Sequence, residues 1–292
     1  MQIHLIDGTY ELYRAYYGAP GATNADGMEV GAARGLMRSL TSLLLAPRTT
    51  HVAIAFDHVI ESFRNQLFEG YKTGDGIEPE LWAQFPLAEQ VASALGMVVW
   101  PMVEFEADDV LATAAKRWSG TKEVERILIC SPDKDLAQCV EGERVVLLDR
   151  MRNRVIAEAD VMEKWGVPPG SIPDLLALMG DAADGVPGIA RWGQKSASRV
   201  LAEYNRIEDI PSDPEVWTVK VRGAAGLSAK LEAERKEALL YRSLTVLRRD
   251  VPIDEELEDL RWRGPNRSLL TQISQTLGET TIMNRFSDWA DA

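Results

Sequence analysis

Nine acidic side chains fall in small groups along this chain: Asp7, Asp57, Glu106 with Asp108 and Asp109, Asp133 with Asp135, and Asp181 with Asp184. Three groups stand at or just past short apolar runs: Ile3 to Ile6 before Asp7, Val52 to Phe56 before Asp57, and Ile127 to Cys130 before Asp133 and Asp135. Runs of this length and composition read as β-strands. Ligand sites in open α/β sheets form outside the carboxyl ends of the strands, so these strands would aim negative charge at one crevice. Two like charges ~4 Å apart repel by roughly 1–4 kcal/mol, depending on the local dielectric. So dense a cluster needs divalent cations or shifted pKa values to be tolerable. Hard oxygen ligands favour Mg²⁺, Mn²⁺ or Ca²⁺ over zinc.

The elements that must position these groups follow from periodicity. Residues 1–178 alternate strands and helices. Helical patterns cover Glu11 to Tyr17, Gly31 to Leu45, 79–95, Ala107 to Trp118 and a segment holding Leu136; strand patterns cover 51–56, Met97 to Trp100, 126–130 and Val145 to Leu148. Strands joined by helical crossovers imply a three-layer α/β domain with a mostly parallel sheet. Gly180 opens a different regime: GDAADGVPG is dense in turn formers, and helical patterns follow at 195–204, 228–240 and 266–277. The expected division is an α/β domain over 1–178 and a helical region over 179–292.

Each acidic group also has an ordinary role. Glu106, Asp108 and Asp109 could complement a helix dipole in its first turn. Asp133 and Asp135 could cap a turn, and Asp181 and Asp184 could form Asx-turns. The first two groups lie about 25 residues apart across one helix–strand unit, which weakens the ordinary roles and lets both face one crevice. Arg64 and Lys72 supply cations near the end of the second strand and could neutralise a phosphate in a transition state. Gly188 and Gly193 flank a tight turn before a helix, and a helix N-terminus with such glycines makes a phosphate nest. Arg191, Lys195, Ser196 and Arg199 complete that candidate interface. Residues 181–249 carry twelve Lys and Arg against ten Asp and Glu, within a chain of net charge −13. Asp7-Gly8-Thr9 suggests the haloacid dehalogenase phosphatases, but their nucleophilic aspartate position is Leu5 here, so covalent phosphoryl capture has no nucleophile. His4, His51 and His58 show no zinc spacing.

The 292 residues, 46% hydrophobic and 26% charged, suffice for one large or two smaller cores. No apolar stretch approaches the ~20 residues of a membrane span, and the N-terminus shows no signal pattern. Two cysteines, Cys130 and Cys139, suggest no disulfide framework, so a cytoplasmic location is expected.

The ordered set LIDGTYELYRAYY, AFD, FRNQLFEGYK, EFEADDVLATAA, SPDKDLAQ, EKWGVPPGSIPDLLALMGDAADGVPG, GIARWGQKSA and YRSLTVLRRDVP resembles the 5′–3′ exonuclease and flap endonuclease family. Its members include the N-terminal exonuclease domain of bacterial DNA polymerase I. The chain ends soon after this unit, so a stand-alone bacterial 5′–3′ exonuclease is expected. The resemblance implies a PIN-like domain followed by a helix-three-turn-helix DNA-binding region. It implies a site for two Mg²⁺ or Mn²⁺ ions, with Asp7, Asp57, Glu106 and Asp108 on the first ion and Asp109, Asp133, Asp135, Asp181 and Asp184 completing the site. Lys72 would orient the scissile phosphate. Residues 73–98 would form a mobile arch, and a K⁺ ion would sit at the helix-turn-helix turn. The implied partner is DNA with 5′ ends, flaps or single-strand/duplex junctions, in replication or repair, and no membrane.

Two positions depart from the family pattern. Asp75 stands where an Arg usually follows the YK motif, and Arg191 replaces the first glycine of a Gly-Ile-Gly turn. With the −13 charge, these raise an alternative: a DNA-junction-binding protein with attenuated catalysis.

Overall fold

A computed structural model describes residues 1–18 and 20–290. In chain order the elements are β1 (Gln2–Asp7), α1 (Gly8–Gly18), α2 (Gly31–Leu44), β2 (His51–Asp57), α3 (Phe63–Leu67), α4 (Pro79–Trp82), α5 (Phe85–Ala94), β3 (Val98–Met102), α6 (Ala107–Ser119), β4 (Arg126–Cys130), β5 (Val145–Asp149), β6 (Arg154–Ile156), α7 (Glu158–Trp165), α8 (Ile172–Met179), α9 (Gln194–Tyr204), α10 (Ala224–Ala233), α11 (Arg235–Thr245) and α12 (Arg267–Leu277). Contacts divide the chain into two compact units. The first comprises Met1–Ile60, Gly74–Ser131 and Arg249–Ala292; the second comprises Glu61–Thr73 and Pro132–Arg248.

In the first unit, β3, β2, β1 and β4 lie side by side in that order and run parallel. Ile3, His4, Leu5 and Ile6 are all buried, so both faces of β1 are covered. That is the setting in which near-continuous apolar strands are stable. The order doubles back at β1: β2 and β3 extend one way, and β4 returns to the other side. The carboxyl ends of β1 and β4 therefore flank a topological switch point, where α/β sheets place their ligands. The α6 helix carries Asp108 and Asp109 in its first turn and Lys116 and Arg117 in its last, matching its dipole at both ends. Its buried stripe of Val110, Leu111, Ala114, Ala115 and Trp118 lies against the parallel strands.

The segment after Arg249 returns to this unit. Trp262 donates from its backbone N to Thr50 O at 2.9 Å and from Nε1 to Leu95 O at 2.8 Å. Asn266 caps α12, accepting from Leu269 N at 2.9 Å, and α12 packs on α5.

Two sequence expectations change here. The helix expected over 79–95 is interrupted after Trp82, and Pro86 in the first turn of α5 restarts it, where a missing N–H costs nothing. The mobile arch expected over 73–98 is not found beyond residue 78: Leu81, Phe85, Ala88, Val91, Ala92 and Leu95 are core residues packed within this unit.

In the second unit, α8 supplies the core through Ile172, Leu175, Leu176, Ala177 and Leu178 and packs against α9 and α11. β5 and β6 form an antiparallel pair. The helix expected over 228–240 is two helices, α10 and α11, broken at Glu234. The turn holding Leu136 is a 3₁₀ helix, Asp135–Cys139.

Arg64 is 1% exposed. Its Nε donates to Leu244 O at 2.7 Å and its Nη2 to Val246 O at 3.0 Å, filling carbonyls that the end of α11 leaves without helical partners. Hydrogen bonds from a charged group are worth about 1.5–3 kcal/mol each. Arg64 thus fastens α3 to the end of α11 and is buried rather than solvated.

Candidate active site

The first unit gathers five of the nine acids at the carboxyl ends of its strands. Asp7 is the last residue of β1, opposite Ala55 on β2; Asp57 ends β2 opposite Met102. Asp7 is held by two donors, Tyr10 N at 2.8 Å and Ser131 Oγ at 2.9 Å. The Asp57 backbone N–H donates to Thr9 Oγ1 at 2.8 Å, and its Oδ1 accepts from Ala107 N at 2.8 Å. That last bond ties the first residue of α6 to the end of β2, bringing Glu106 and Asp108 to the same rim. Asp109 is fully buried and its Oδ2 accepts from Glu106 N at 3.0 Å. Asp109 therefore caps the start of α6 from within its first turn.

The second unit gathers three more. Gly180, with φ 84°, ends α8. The next residues close a small loop in which Asp181 and Val186 exchange backbone hydrogen bonds, both at 2.8 Å. Asp181 Oδ1 also accepts from Ala183 N at 3.1 Å, the Asx-turn anticipated for it. Gly185 permits a close approach: a Cβ there would stand 2.2 Å from Gly70 O. Lys72 is thereby laid along the loop. Its backbone N donates to Asp184 O at 3.0 Å and its Nζ pairs with Asp184 Oδ1 at 3.1 Å, while Asn65 Nδ2 donates to Lys72 O at 2.9 Å.

Asp135, Asp181 and Asp184 each direct one carboxylate oxygen to a point where all three lie within 4.8 Å of one another. Asp135 is 6% exposed and Asp181 5%. Asp135 Oδ1 is buried with no hydrogen-bond partner. Burial first, then the charges of Asp133 and Asp184, push the Asp135 carboxyl well above the usual carboxylate range; Lys134 opposes the shift and Asp181 adds to it. Such an oxygen calls for a proton or a cation. A donor set of three hard oxygens fits a divalent ion. Asp133 Oδ1 accepts from Asp135 N at 2.9 Å, shaping the turn.

Lys134 reaches into the same cluster. Its Nζ lies 2.6 Å from Asp181 Oδ2 and 4.0 Å from Asp135 Oδ1. Burial works to lower its pKa, but the hydrogen bond to Asp181 and the surrounding carboxylates outweigh it and raise the value. The sequence showed Lys134 only as the lysine of SPDKD; its place directly between Asp133 and Asp135 was the available signal.

A cavity of about 600 Å³ opens at the start of α9, lined by Arg191, Lys195, Arg199, Lys220 and Arg222 together with Gly193 and Ser196. None of these five cations forms an ion pair among the described residues. Ser196 Oγ accepts from Gly193 N at 3.1 Å, closing the first turn of α9. Arg191 adopts φ 77°, a conformation glycine enters freely and a side chain enters at roughly 1–2 kcal/mol. Gly188 does not line this cavity. A Cβ on it would stand 2.4 Å from Gly180 N, so its lack of a side chain serves packing against the end of α8. Lys220 and Arg222 were not anticipated; their alternation in Thr218-Val219-Lys220-Val221-Arg222 was the signal.

Known proteins resemble this chain in family and in fold. Residues 2–166 match the family model "5'-3' exonuclease, N-terminal resolvase-like domain", and residues 167–268 match "5'-3' exonuclease, C-terminal SAM fold". The chain is 30% identical over 282 residues to a 5'-3' exonuclease of Aquifex aeolicus, covering 96% of this chain and 93% of that one. It is 34% identical over 299 residues to DNA polymerase I of Rhizobium leguminosarum, covering 99% of this chain but only 28% of the polymerase. Among solved structures, T5 5'-exonuclease with divalent metal ions (zinc) bound shares the fold with a TM-score of 0.69 at 16% identity, over 96% of this chain and 99% of that one. The catalytic core of Rad2 in complex with DNA substrate gives 0.61 at 15% identity, over 94% and 88%. No described helix is long and apolar enough to cross a membrane. Two family models that together run from residue 2 to residue 268, joined to an A. aeolicus exonuclease matched along nearly its whole length, place this chain in the 5′–3′ exonuclease family.

Proposed function

We propose that this chain is a divalent-metal-dependent 5′–3′ exonuclease and flap endonuclease that hydrolyses DNA phosphodiester bonds. The observation that carries the reading is the buried Asp135 oxygen, without a hydrogen-bond partner, among three converging carboxylates. One ion, Mg²⁺ or Mn²⁺, is assigned to Asp7, Asp57, Glu106 and Asp108, and a second to Asp135, Asp181 and Asp184. Asp109 and Asp133 act behind these ligands through the backbone bonds they accept. When bound, such ions supply an activated water and neutralise charge on the leaving oxygen.

The side chains of this chain do the rest. Lys72 orients the scissile phosphate, held in place by Asn65 and Asp184. Arg64 is assigned a positioning role through the end of α11. The cations around the start of α9 hold backbone phosphates of the DNA, with Lys220 and Arg222 added to the residues expected from sequence. Residues 1–178, together with Asp181 and Asp184, are assigned to cleavage, and the helix-three-turn-helix part of residues 179–292 to DNA binding. A K⁺ ion at the turn near Arg191 and a cytoplasmic role in replication or repair belong to the same proposal; both cysteines are free and buried.

The test is incubation of labelled flap, nicked and blunt DNA duplexes with Mg²⁺ or Mn²⁺, beside a Ca²⁺ binding control. Cleavage from 5′ ends or at junctions supports the reading. Binding without cleavage would favour the junction-binding alternative raised by Asp75 and Arg191.

A further inference from the structure

We propose that Lys134 is a tethered counter-ion that competes with a divalent cation for the carboxylates of Asp181 and Asp135. The inference rests on the metal-dependent reading above and concerns how this chain sets its own metal affinity.

Three observations carry it. First, the Lys134 ammonium is 2.6 Å from Asp181 Oδ2, whose side chain is only 4% exposed. A hard divalent ion takes carboxylate oxygens at about 2.0–2.6 Å. A metal on that oxygen and an ammonium at its present distance would face each other as two cations across one ligand, so one must move. Second, the ammonium also faces Asp135 Oδ1 at 4.0 Å, the buried oxygen that has no hydrogen-bond partner. Lys134 thus offsets part of the charge that a metal would neutralise, and it does so from within the ligand set. Third, the tether is short and fixed. Lys134 lies directly between Asp133 and Asp135, and its carbonyl accepts from Ala137 N at 3.0 Å, anchoring its backbone to the 3₁₀ turn. The side chain is one-quarter exposed, so it has a way out toward solvent when an ion takes the carboxylates.

An ordinary surface ion pair would not have these properties, because both partners would be solvated and neither would belong to a ligand set. Here each binding event must expel an ammonium from Asp181. The expected results are weaker metal affinity, a stable metal-free protein, and an ion that exchanges readily.

The experiment is calorimetric titration of the full chain with Mn²⁺ alone, without DNA, for wild type, Lys134→Met, Lys134→Gln and Lys134→Arg. Melting in EDTA is measured in parallel. Removing the competitor should tighten Mn²⁺ binding by about tenfold, equivalent to ~1.4 kcal/mol, while lowering the melting temperature in EDTA. Lys134→Arg should keep near wild-type affinity. Lys134→Gln, neutral but polar, repeats the test should the Met variant fold poorly. Equal or weaker Mn²⁺ binding by the neutral variants would overturn the proposal, as would tightening by Lys134→Arg to the level of Lys134→Met. If wild type binds Mn²⁺ and the neutral variants match it, only the tether falls. If wild type binds no Mn²⁺, the metal-dependent reading falls with it.

Discussion

Replacing Asp135 by asparagine should make the metal-free protein more stable and the metal-loaded protein less so. The Asp135 oxygen lies within 4.8 Å of ligand oxygens on Asp181 and Asp184. At an effective dielectric of 20, each such pair repels by about 3.5 kcal/mol. Lys134 at 4.0 Å returns about 4 kcal/mol of attraction, leaving a net penalty of about 3 kcal/mol before burial is counted. Protonation of the carboxyl relieves part of this, so Asp135→Asn should gain ~1–3 kcal/mol in EDTA, or roughly 2–6 °C in melting temperature. In Mn²⁺ at a hundred times the dissociation constant, wild type should gain about 2.7 kcal/mol and the variant far less, so the order of melting inverts.

The sign with pH follows from the raised Asp135 pKa. Its stabilising protonated form is present below the unfolded carboxyl's pKa and is lost as pH rises through the folded value. The EDTA gap between variant and wild type should therefore close as pH falls. Thermal melts in EDTA and in Mn²⁺ across pH measure all three effects. A variant that melts below wild type in EDTA, or that keeps the full Mn²⁺ shift, refutes the reasoning.

Three further outcomes are expected. Lys195→Ala and Lys220→Ala should each weaken duplex binding in Ca²⁺ and reduce the salt slope by about 0.9; an unchanged slope would remove that residue from the DNA interface. Arg191→Gly should relieve the left-handed backbone while raising unfolded-chain entropy, effects of about 1 kcal/mol that oppose each other. Melting should therefore hardly change while DNA affinity drops, and unaltered affinity would show that the Arg191 charge does not serve binding. Asp75→Arg, at an exposed position of the 73–78 loop, should speed flap cleavage more than blunt-end cleavage, with a gain that shrinks as salt rises. An equal or slower flap rate at low salt would place Asp75 off the substrate path.

The parallel strands were readable because β1, β2 and β4 hold nearly continuous apolar runs with acids at or just past their ends, a pattern set by burial on both faces. The short edge strand β6, with Arg154 exposed and two half-buried neighbours, carries no such pattern. Helix breaks at Ala83 and Glu234 were missed because periodicity continues across both; a proline in the next helix marks one, and only the backbone marks the other. Among the candidate site residues, the convergence of Asp135, Asp181 and Asp184 depends on Gly185 approaching Gly70, a contact between residues more than a hundred positions apart. The burial of Arg64 was hidden for a related reason. A charged residue beside a strand end reads as solvated, whereas here it fills the carbonyls that end α11. Arg191 was visible as a departure, but its left-handed backbone appears only in three dimensions.

Single-turnover cleavage of a 5′-labelled flap in saturating Mg²⁺, by wild type, Asp108→Ala and Asp7→Ala, tests the central claim most directly. Asp7 accepts hydrogen bonds from Tyr10 N and Ser131 Oγ, so its loss should also cost about 1–3 kcal/mol of stability; circular dichroism and Ca²⁺-supported DNA binding would confirm that both variants remain folded. The account predicts that wild type releases 5′-phosphorylated product only with metal, and that both variants bind DNA yet cleave slower by orders of magnitude. Wild-type turnover by both folded variants, or cleavage by wild type in EDTA, would contradict it.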